Sequence, residues 1–320
     1  LLTLATFPLV VHRGTDAALK AGRLYLVYTL SGGTLLLMGV ALLHSITGTS
    51  DFVPGGYVSG AVEENRFALM AAFALMIVGL GVKAALFPLH GWLPRAMVAP
   101  APVSALLHAV AVVKAGVFTL IKVVIYIFGT DYLAEVPYEQ FAVYIAGFTV
   151  VAASCIALRQ TNIKRLLAYS TIGQLSYIIM ATMALAPFSE IGAAIHIAAH
   201  AFGKITLFFT AGAIYVASKK TEITQLNGIG WRMPYTMTAF AIGALSMIGV
   251  PPTAGFVSKW FIIAGAFQLD NYFVLVVLIL STALNAAYFL PIIFNAFFKP
   301  EDVTPVKDHA EAPTNMVIAL

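Results

Sequence analysis

The sequence predicts an all-α fold, a polytopic bundle of membrane-spanning helices, and three observations carry that reading. Apolar residues fill 60% of the 320 positions and charged residues only 10%, whereas a soluble domain has roughly 45–50% apolar and about 25% charged. The apolar residues gather into runs long enough to cross a bilayer, which takes about 20 residues of helix. The loops between those runs alternate in charge. Mean hydropathy is +0.91. With Cys155 as the single cysteine, a disulfide framework and an all-cysteine iron–sulfur or zinc site are excluded. The net charge of +4 comes from Lys and Arg dispersed between apolar stretches, which argues against a nucleic-acid patch.

Residues 1–11 form an apolar run too short to span, and Met316–Leu320 begins another. Both are expected to be cut helices of a longer protein, and no signal-peptide pattern precedes them. Between them lie eight complete apolar segments, at 24–46, 67–88, 103–128, 140–158, 166–186, 190–217, 234–267 and 271–298. One set of loops holds Arg13, Lys20, Arg23, Arg95, Arg159, Lys164, Arg165, Lys219, Lys220 and Arg232. The other holds only Arg66, among Asp51, Glu63, Glu64, Asp131, Glu135, Glu139, Glu190 and Asp270. Positive charge marks the cytoplasmic side, so the basic set faces in.

Two segments are interrupted. Residues 87–102 contain Pro88, Pro94, Pro100 and Pro102, and the stretch Gly249-Val-Pro-Pro-Thr-Ala-Gly255 lies within a long apolar run. Proline removes a backbone donor and breaks a helix. At membrane depth, broken backbone is tolerated where it is buried in protein or lines a wet cavity. A lysine is close to each interruption, Lys83 before Pro88 and Lys259 after Pro252. Paired interruptions in two halves of a membrane chain point to an ion site.

The ionisable residues inside predicted spans are Lys83, His108, Lys114, Lys122, His196, His200, Lys204 and Lys259. Each is costly at the bilayer centre. Lys122 is close enough to a segment end to snorkel to the interface, whereas Lys83, Lys114, Lys204 and Lys259 fall too deep for that. His196, His200 and Lys204 recur every four residues, which places them within about 80° of arc on one helix face. Such a stripe suits a proton relay, because histidine titrates near neutrality. The plainer alternative is a set of histidines satisfied by neighbouring backbone or hydroxyls. Haem ligation is disfavoured because two His on one helix face cannot flank one iron, and a metal site there lacks a nearby carboxylate. All fourteen Asp and Glu fall in loops or at segment ends, so the deep lysines are expected to find an acidic partner outside this stretch of chain.

The stretch Gly81-Val-Lys-Ala-Ala-Leu-Phe-Pro-Leu-His-Gly-Trp-Leu-Pro-Arg-Ala-Met, followed by Ala101-Pro-Val-Ser-Ala-Leu-Leu-His-Ala, resembles the antiporter-like subunits of respiratory complex I and of Mrp-type cation/proton antiporters. The likeness continues through Gln160-Thr-Asn-Ile-Lys-Arg-Leu-Leu-Ala-Tyr-Ser-Thr-Ile-Gly-Gln, His196-Ile-Ala-Ala-His-Ala-Phe-Gly-Lys-Ile-Thr-Leu-Phe and Gly249-Val-Pro-Pro-Thr-Ala-Gly-Phe-Val-Ser-Lys. It implies two inverted five-helix repeats, each with a discontinuous helix: residues 1–138 as the rest of the first, 139–299 as the second, and 300–320 as a loop and the start of the next helix. It places Lys83 and Lys259 on the two broken helices, His108 and Lys114 on the helix after the first break, and His196, His200 and Lys204 on a connecting helix. It further implies a glutamate just upstream of Leu1 paired with Lys83. The turn Ala201-Phe202-Gly203-Lys204 departs from the family's Ala-Phe-Phe-Lys.

The resemblance implies a proton-translocating subunit of a NADH:quinone oxidoreductase-type complex, with redox chemistry in other subunits. Protons would move between Lys83, Lys204 with the histidines, and Lys259. A subunit of a Mrp-type Na+/H+ antiporter and one of a membrane-bound hydrogenase-type complex share this pattern. No cofactor is expected, since the chain has neither a dinucleotide-binding glycine loop nor a cysteine set for a cluster. The expected partners are other membrane subunits, protons or Na+, and the lipid bilayer. The expected location is a bacterial or archaeal cytoplasmic membrane or an organelle inner membrane.

Overall fold

Seven described helices are long and apolar enough to cross a membrane, and the computed structural model describes residues 2–58, 62–136, 138–301 and 310–320. After a short α1 (Leu2–Val11), α2 (Asp16–Thr47) starts where the Thr15 hydroxyl accepts a hydrogen bond from the Ala18 N–H at 3.2 Å. Such a cap satisfies a donor that the first turn leaves free, and Asp16 complements the positive helix end. α3 is Val62–Lys83 and α4 is Ala101–Phe128. α5 is Tyr138–Leu158, α6 Ile163–Met183 and α7 Pro187–Ser218. α8 (Pro234–Ile248) and α9 (Ala254–Gln268) form the broken span, and α10 is Tyr272–Phe298. The side chains of Glu63, Glu64 and Glu139, assigned to acidic loops from the sequence, lie outside the described residues.

The basic loops do come together at one end of the bundle. The Lys164 ammonium donates to the carbonyls of Met97 and Ala99 at 2.8 and 2.5 Å. Backbone bonds tie Ile163 to Thr221 and Ile223 to Thr161, and Glu301 bridges Lys220 and Arg232 at 2.8 and 2.7 Å. At the other end Val53 and Tyr57 donate to the carbonyls of Tyr126 and Ile127. The alternation of loop charge is therefore an alternation of sides.

At the centre stands α6, with 18 of its 21 residues buried. A helix covered on every face can carry polar side chains inward only if neighbours satisfy them. α8 and α9 have 15 residues each, about 22 Å of helix at 1.5 Å per residue, and neither alone matches a hydrocarbon core of about 30 Å. Together they make the single interrupted span that the sequence predicts.

The first interruption differs in extent from expectation. The segment expected at 67–88 stops at Lys83, where Ala85 takes a left-handed conformation. Short helical turns follow at Leu89–Gly91, Trp92–Arg95 and Ala96–Val98. The next span carries an irregularity that no proline announces. α4 widens to a π-helical stretch over Leu106–Val110, bends at Ala111, and widens again at Val124–Phe128.

Candidate functional site

The π-helical stretch decides where His108 and Lys114 point. Six residues apart on a regular helix, they would stand about 120° apart around the axis. The wider turn absorbs the mismatch, and both side chains reach α7. The His108 ring lies against Phe208 with centroids 5.2 Å apart, and the Lys114 Nζ sits 2.6 Å from His200 Nδ1. π stretches of this kind recur at functional sites.

The stripe on α7 points inward. His196, His200 and Lys204 are all completely buried, while Phe202 on the opposite face is exposed. His196 Nε2 lies 2.9 Å from Gln174 Oε1 on α6, and its Nδ1 lies 2.8 Å from the Ser258 hydroxyl on α9. The Gln174 amide donates through Nε2 to the Met247 carbonyl. That bond orients the amide so that its oxygen faces His196 and the imidazole donates from Nε2. The His196 and His200 rings are 6.2 Å apart, a separation one water can bridge. Lys204 Nζ donates to the Ser170 hydroxyl at 2.7 Å and the Leu167 carbonyl at 3.3 Å, both on α6. At Gly203, which departs from the family's Ala-Phe-Phe-Lys, a Cβ would come within 2.5 Å of the terminal methyl of Met247, the flexible end of a side chain that can swing aside.

That break is organised around Lys259. α8 ends at Ile248 with Gly249 in the left-handed conformation. α9 begins at Ala254, and its first turn lies so close to α8 that a Cβ on Gly255 would fall 1.7 Å from the Ser246 carbonyl oxygen. The last carbonyls of α8 lack helical partners. Lys259 Nζ takes up two of them, donating to Met247 at 3.0 Å and Ile248 at 2.7 Å, with the Thr282 hydroxyl at 3.5 Å. An ammonium at a helix C-terminus also meets the negative end of the helix dipole. Among the described residues Lys114, Lys204 and Lys259 have no carboxylate partner, and carbonyl and hydroxyl oxygens or an imidazole hold them. The carboxylate that does pair with cations, Glu301, serves Lys220 and Arg232 at the basic end.

Lys83 stands at the first break. It is the last residue of α3, half-buried, and its ammonium makes no hydrogen bond or ion pair with the described residues. The helix ends there, with Val82, Ala84 and Ala85 buried around it. Lys122 is likewise half-buried and lies over the exposed Phe52 ring at 3.8 Å, as a snorkelling side chain should. The site also includes Ser170, Gln174, Ser258, Thr282, Asn285 and Tyr288, which a search confined to ionisable residues overlooks. Their signal was legible as polar residues at helical spacing inside apolar spans: Ser170, Gln174 and Tyr177 on α6, and Ser281, Asn285 and Tyr288 on α10.

Residues 1–285 match the family model described as NADH:quinone oxidoreductase/Mrp antiporter, TM. The chain is 33% identical over 299 residues to NADH-quinone oxidoreductase subunit N of Desulforudis audaxviator, covering 93% of this chain and 59% of that protein. It is 29% identical over 297 residues to a Na(+)/H(+) antiporter subunit of Alkalihalophilus pseudofirmus, with the same two coverages, 93% and 59%. The solved membrane-bound sulfane sulfur reductase, an archaeal respiratory membrane complex, contains a chain that superposes with a TM-score of 0.84 at 28% identity, covering 99% of this chain and 64% of that one. The chain thus spans a little under two thirds of the length of each of these relatives. With its broken helices and its buried lysine–histidine stripe, this multi-pass membrane chain belongs to the NADH:quinone oxidoreductase/Mrp antiporter transmembrane family.

Proposed function

We propose that this chain translocates protons as an antiporter-like membrane subunit of a NADH:quinone oxidoreductase-type complex, along Lys83, His108, Lys114, His196, His200, Lys204 and Lys259. The observation that carries the reading is the 2.6 Å contact between Lys114 Nζ and His200 Nδ1. Two positive charges at that separation repel strongly in a dry interior, so the pair holds one positive charge and passes the proton between its nitrogens. His200 takes the proton at Nδ1 and can release one from Nε2, which is buried without a partner in the described residues. His196 stands next, with both ring nitrogens engaged, and beyond it the Gln174 amide and the Lys259 ammonium donate to the same Met247 carbonyl, which fixes where Lys259 stands relative to His196. Lys204 branches from the same helix face toward α6.

The chain's own residues orient and exchange protons, and oxidation of a reduced donor would belong to partner subunits. The division into repeats at 1–138 and 139–299 is part of this proposal. It is supported by a break beside a lysine in each half. A Na+/H+ antiporter subunit is the second reading, favoured by the Mrp-type relative. The genes beside this one would separate the readings, since flavoprotein and quinone-module subunits would accompany only the first. Proton uptake by inside-out vesicles carrying the full-length complex tests the relay. Lys114→Met is expected to stop uptake with assembly intact, and uptake at the wild-type rate would reject the proposal.

A further inference from the structure

Tyr288, Asn285 and Ser170 are buried, with 5%, 1% and 2% of their surface exposed, and the relay above leaves them without a task. Tyr288 has one hydroxyl proton and two acceptors within reach, Asn285 Oδ1 at 2.5 Å and Ser170 Oγ at 3.0 Å. Ser170 Oγ also receives Lys204 Nζ at 2.7 Å. Asn285 Nδ2 points at the Met247 carbonyl at 3.5 Å, the same oxygen that holds Lys259 Nζ. Lys204 and Lys259 are therefore joined by an unbroken series of protein contacts through α6, α10 and α8.

We propose that Tyr288 and Asn285 are positioning residues that transmit the charge state of Lys204 to the carbonyl cradle of Lys259, by reversing the direction of two hydroxyl hydrogen bonds. This rests on the relay reading, because Lys204 must change charge. When Lys204 is an ammonium it donates to Ser170 Oγ, Ser170 donates to Tyr288 Oη, and the Tyr288 proton goes to Asn285 Oδ1. When Lys204 is a neutral amine its lone pair accepts from Ser170. Tyr288 then donates to Ser170, and Asn285 Oδ1 loses its donor. No covalent bond changes beyond the proton Lys204 gains or loses, and two hydroxyl protons rotate. A donor on Oδ1 polarises the amide and strengthens its N–H groups as donors. In the charged state Asn285 therefore competes harder for the Met247 carbonyl and loosens the hold on Lys259. In the neutral state the carbonyl is left to the Lys259 ammonium. The device favours one charge at a time on the two lysines, and its direction is set by which acceptor the Tyr288 proton chooses.

The test uses the full-length chain in its native complex, in vesicles, with ring-labelled tyrosine read by infrared spectroscopy at one pH. Lys204→Arg fixes the charge, and Lys204→Gln removes it while keeping an oxygen that can accept from Ser170. The Tyr288 C–O band, assigned by its disappearance in Tyr288→Phe, is expected at different positions in the two variants, since Tyr288 accepts a hydrogen bond only in the first. Tyr288→Phe keeps the ring against Phe289, at a centroid distance of 4.6 Å, and is expected to slow proton uptake about tenfold with assembly unchanged. One band position in both Lys204 variants overturns the proposal, and needs no Tyr288 substitution beyond the band assignment. Wild-type uptake by Tyr288→Phe overturns it as well. Wild-type uptake by Lys204→Met would instead overturn the relay itself, which keeps the two failures distinct.

Discussion

A lysine ammonium 2.6 Å from an imidazole nitrogen, with no carboxylate partner among the described residues, is a poor structural element. Removing a buried charge and leaving an apolar side chain of similar volume is often neutral or stabilising. Lys114→Met and Lys204→Met are therefore expected to leave the melting temperature of the complex in detergent unchanged or raised, while proton uptake falls at least about tenfold, or 1.4 kcal/mol of barrier. Lys122 lies over an exposed ring, and an exposed cation–π contact is worth about 0.5–1 kcal/mol. Lys122→Ala should leave uptake within about twofold of wild type. Equal losses in Lys114→Met and Lys122→Ala would mean that neither burial nor the contact with His200 explains the sensitivity. Lys83 is the test of the sequence expectation at this scale: Lys83→Ala combined with Lys204→Ala should abolish most transport, and wild-type uptake by the double variant would remove both from the path.

Among the elements, the broken span α8–α9 has the most specific geometry. Its two halves approach so closely at Gly255 that any Cβ would collide with the Ser246 carbonyl, which belongs to backbone and cannot swing aside. Gly255→Ala is expected to push α9 from α8 and destabilise the protein by about 1–3 kcal/mol, the usual range for overpacking. It should also pull Lys259 from the Met247 and Ile248 carbonyls. A melting temperature and a transport rate both equal to wild type would show that the halves are not clamped as described. Proline positions made this break legible in advance. The π-helical stretch in α4 was not legible, because its residues, Leu106 to Val110, are ordinary helix formers. The widened turn arises where His108 and Lys114 must both meet α7, a demand visible only once the neighbour is in place.

Across the whole molecule, the basic end is fastened by Glu301, which reaches the fully buried Lys220 and also Arg232. Burial alone would raise the Glu301 pKa, but the hydrogen bond and charge of Lys220, with Arg232, outweigh it and hold the carboxyl below its usual range. A carboxyl depressed on folding stabilises fully above its unfolded value of about 4.3, and that contribution is lost as pH falls through the folded value. The clasp is thus constant through neutral pH and fails only in acid. Glu301→Ala leaves the buried Lys220 ammonium without its carboxylate and is expected to cost about 3 kcal/mol, read as a lower melting temperature at pH 7 whose deficit shrinks below pH 4. A deficit unchanged in acid would assign the loss to packing and not to charge.

Composition and run length were enough to determine the membrane bundle and most of its spans, because a lipid interior forces backbone into helices and leaves charge at the ends. The same economy made Lys114, His196, His200, Lys204 and Lys259 stand out, since few residues of that kind survive at membrane depth without a task. What only the tertiary structure decided is who holds them. No spacing rule places Lys114 against His200, eighty-six residues away, or sets Tyr288 between Ser170 and Asn285. The sequence shows no acid at the depth of these lysines, and the fold decides which carbonyl and hydroxyl oxygens they reach. A broken helix exposes its last oxygens wherever the chain stops turning, and a lysine from the next half can use them only because Gly255 lets the two halves touch.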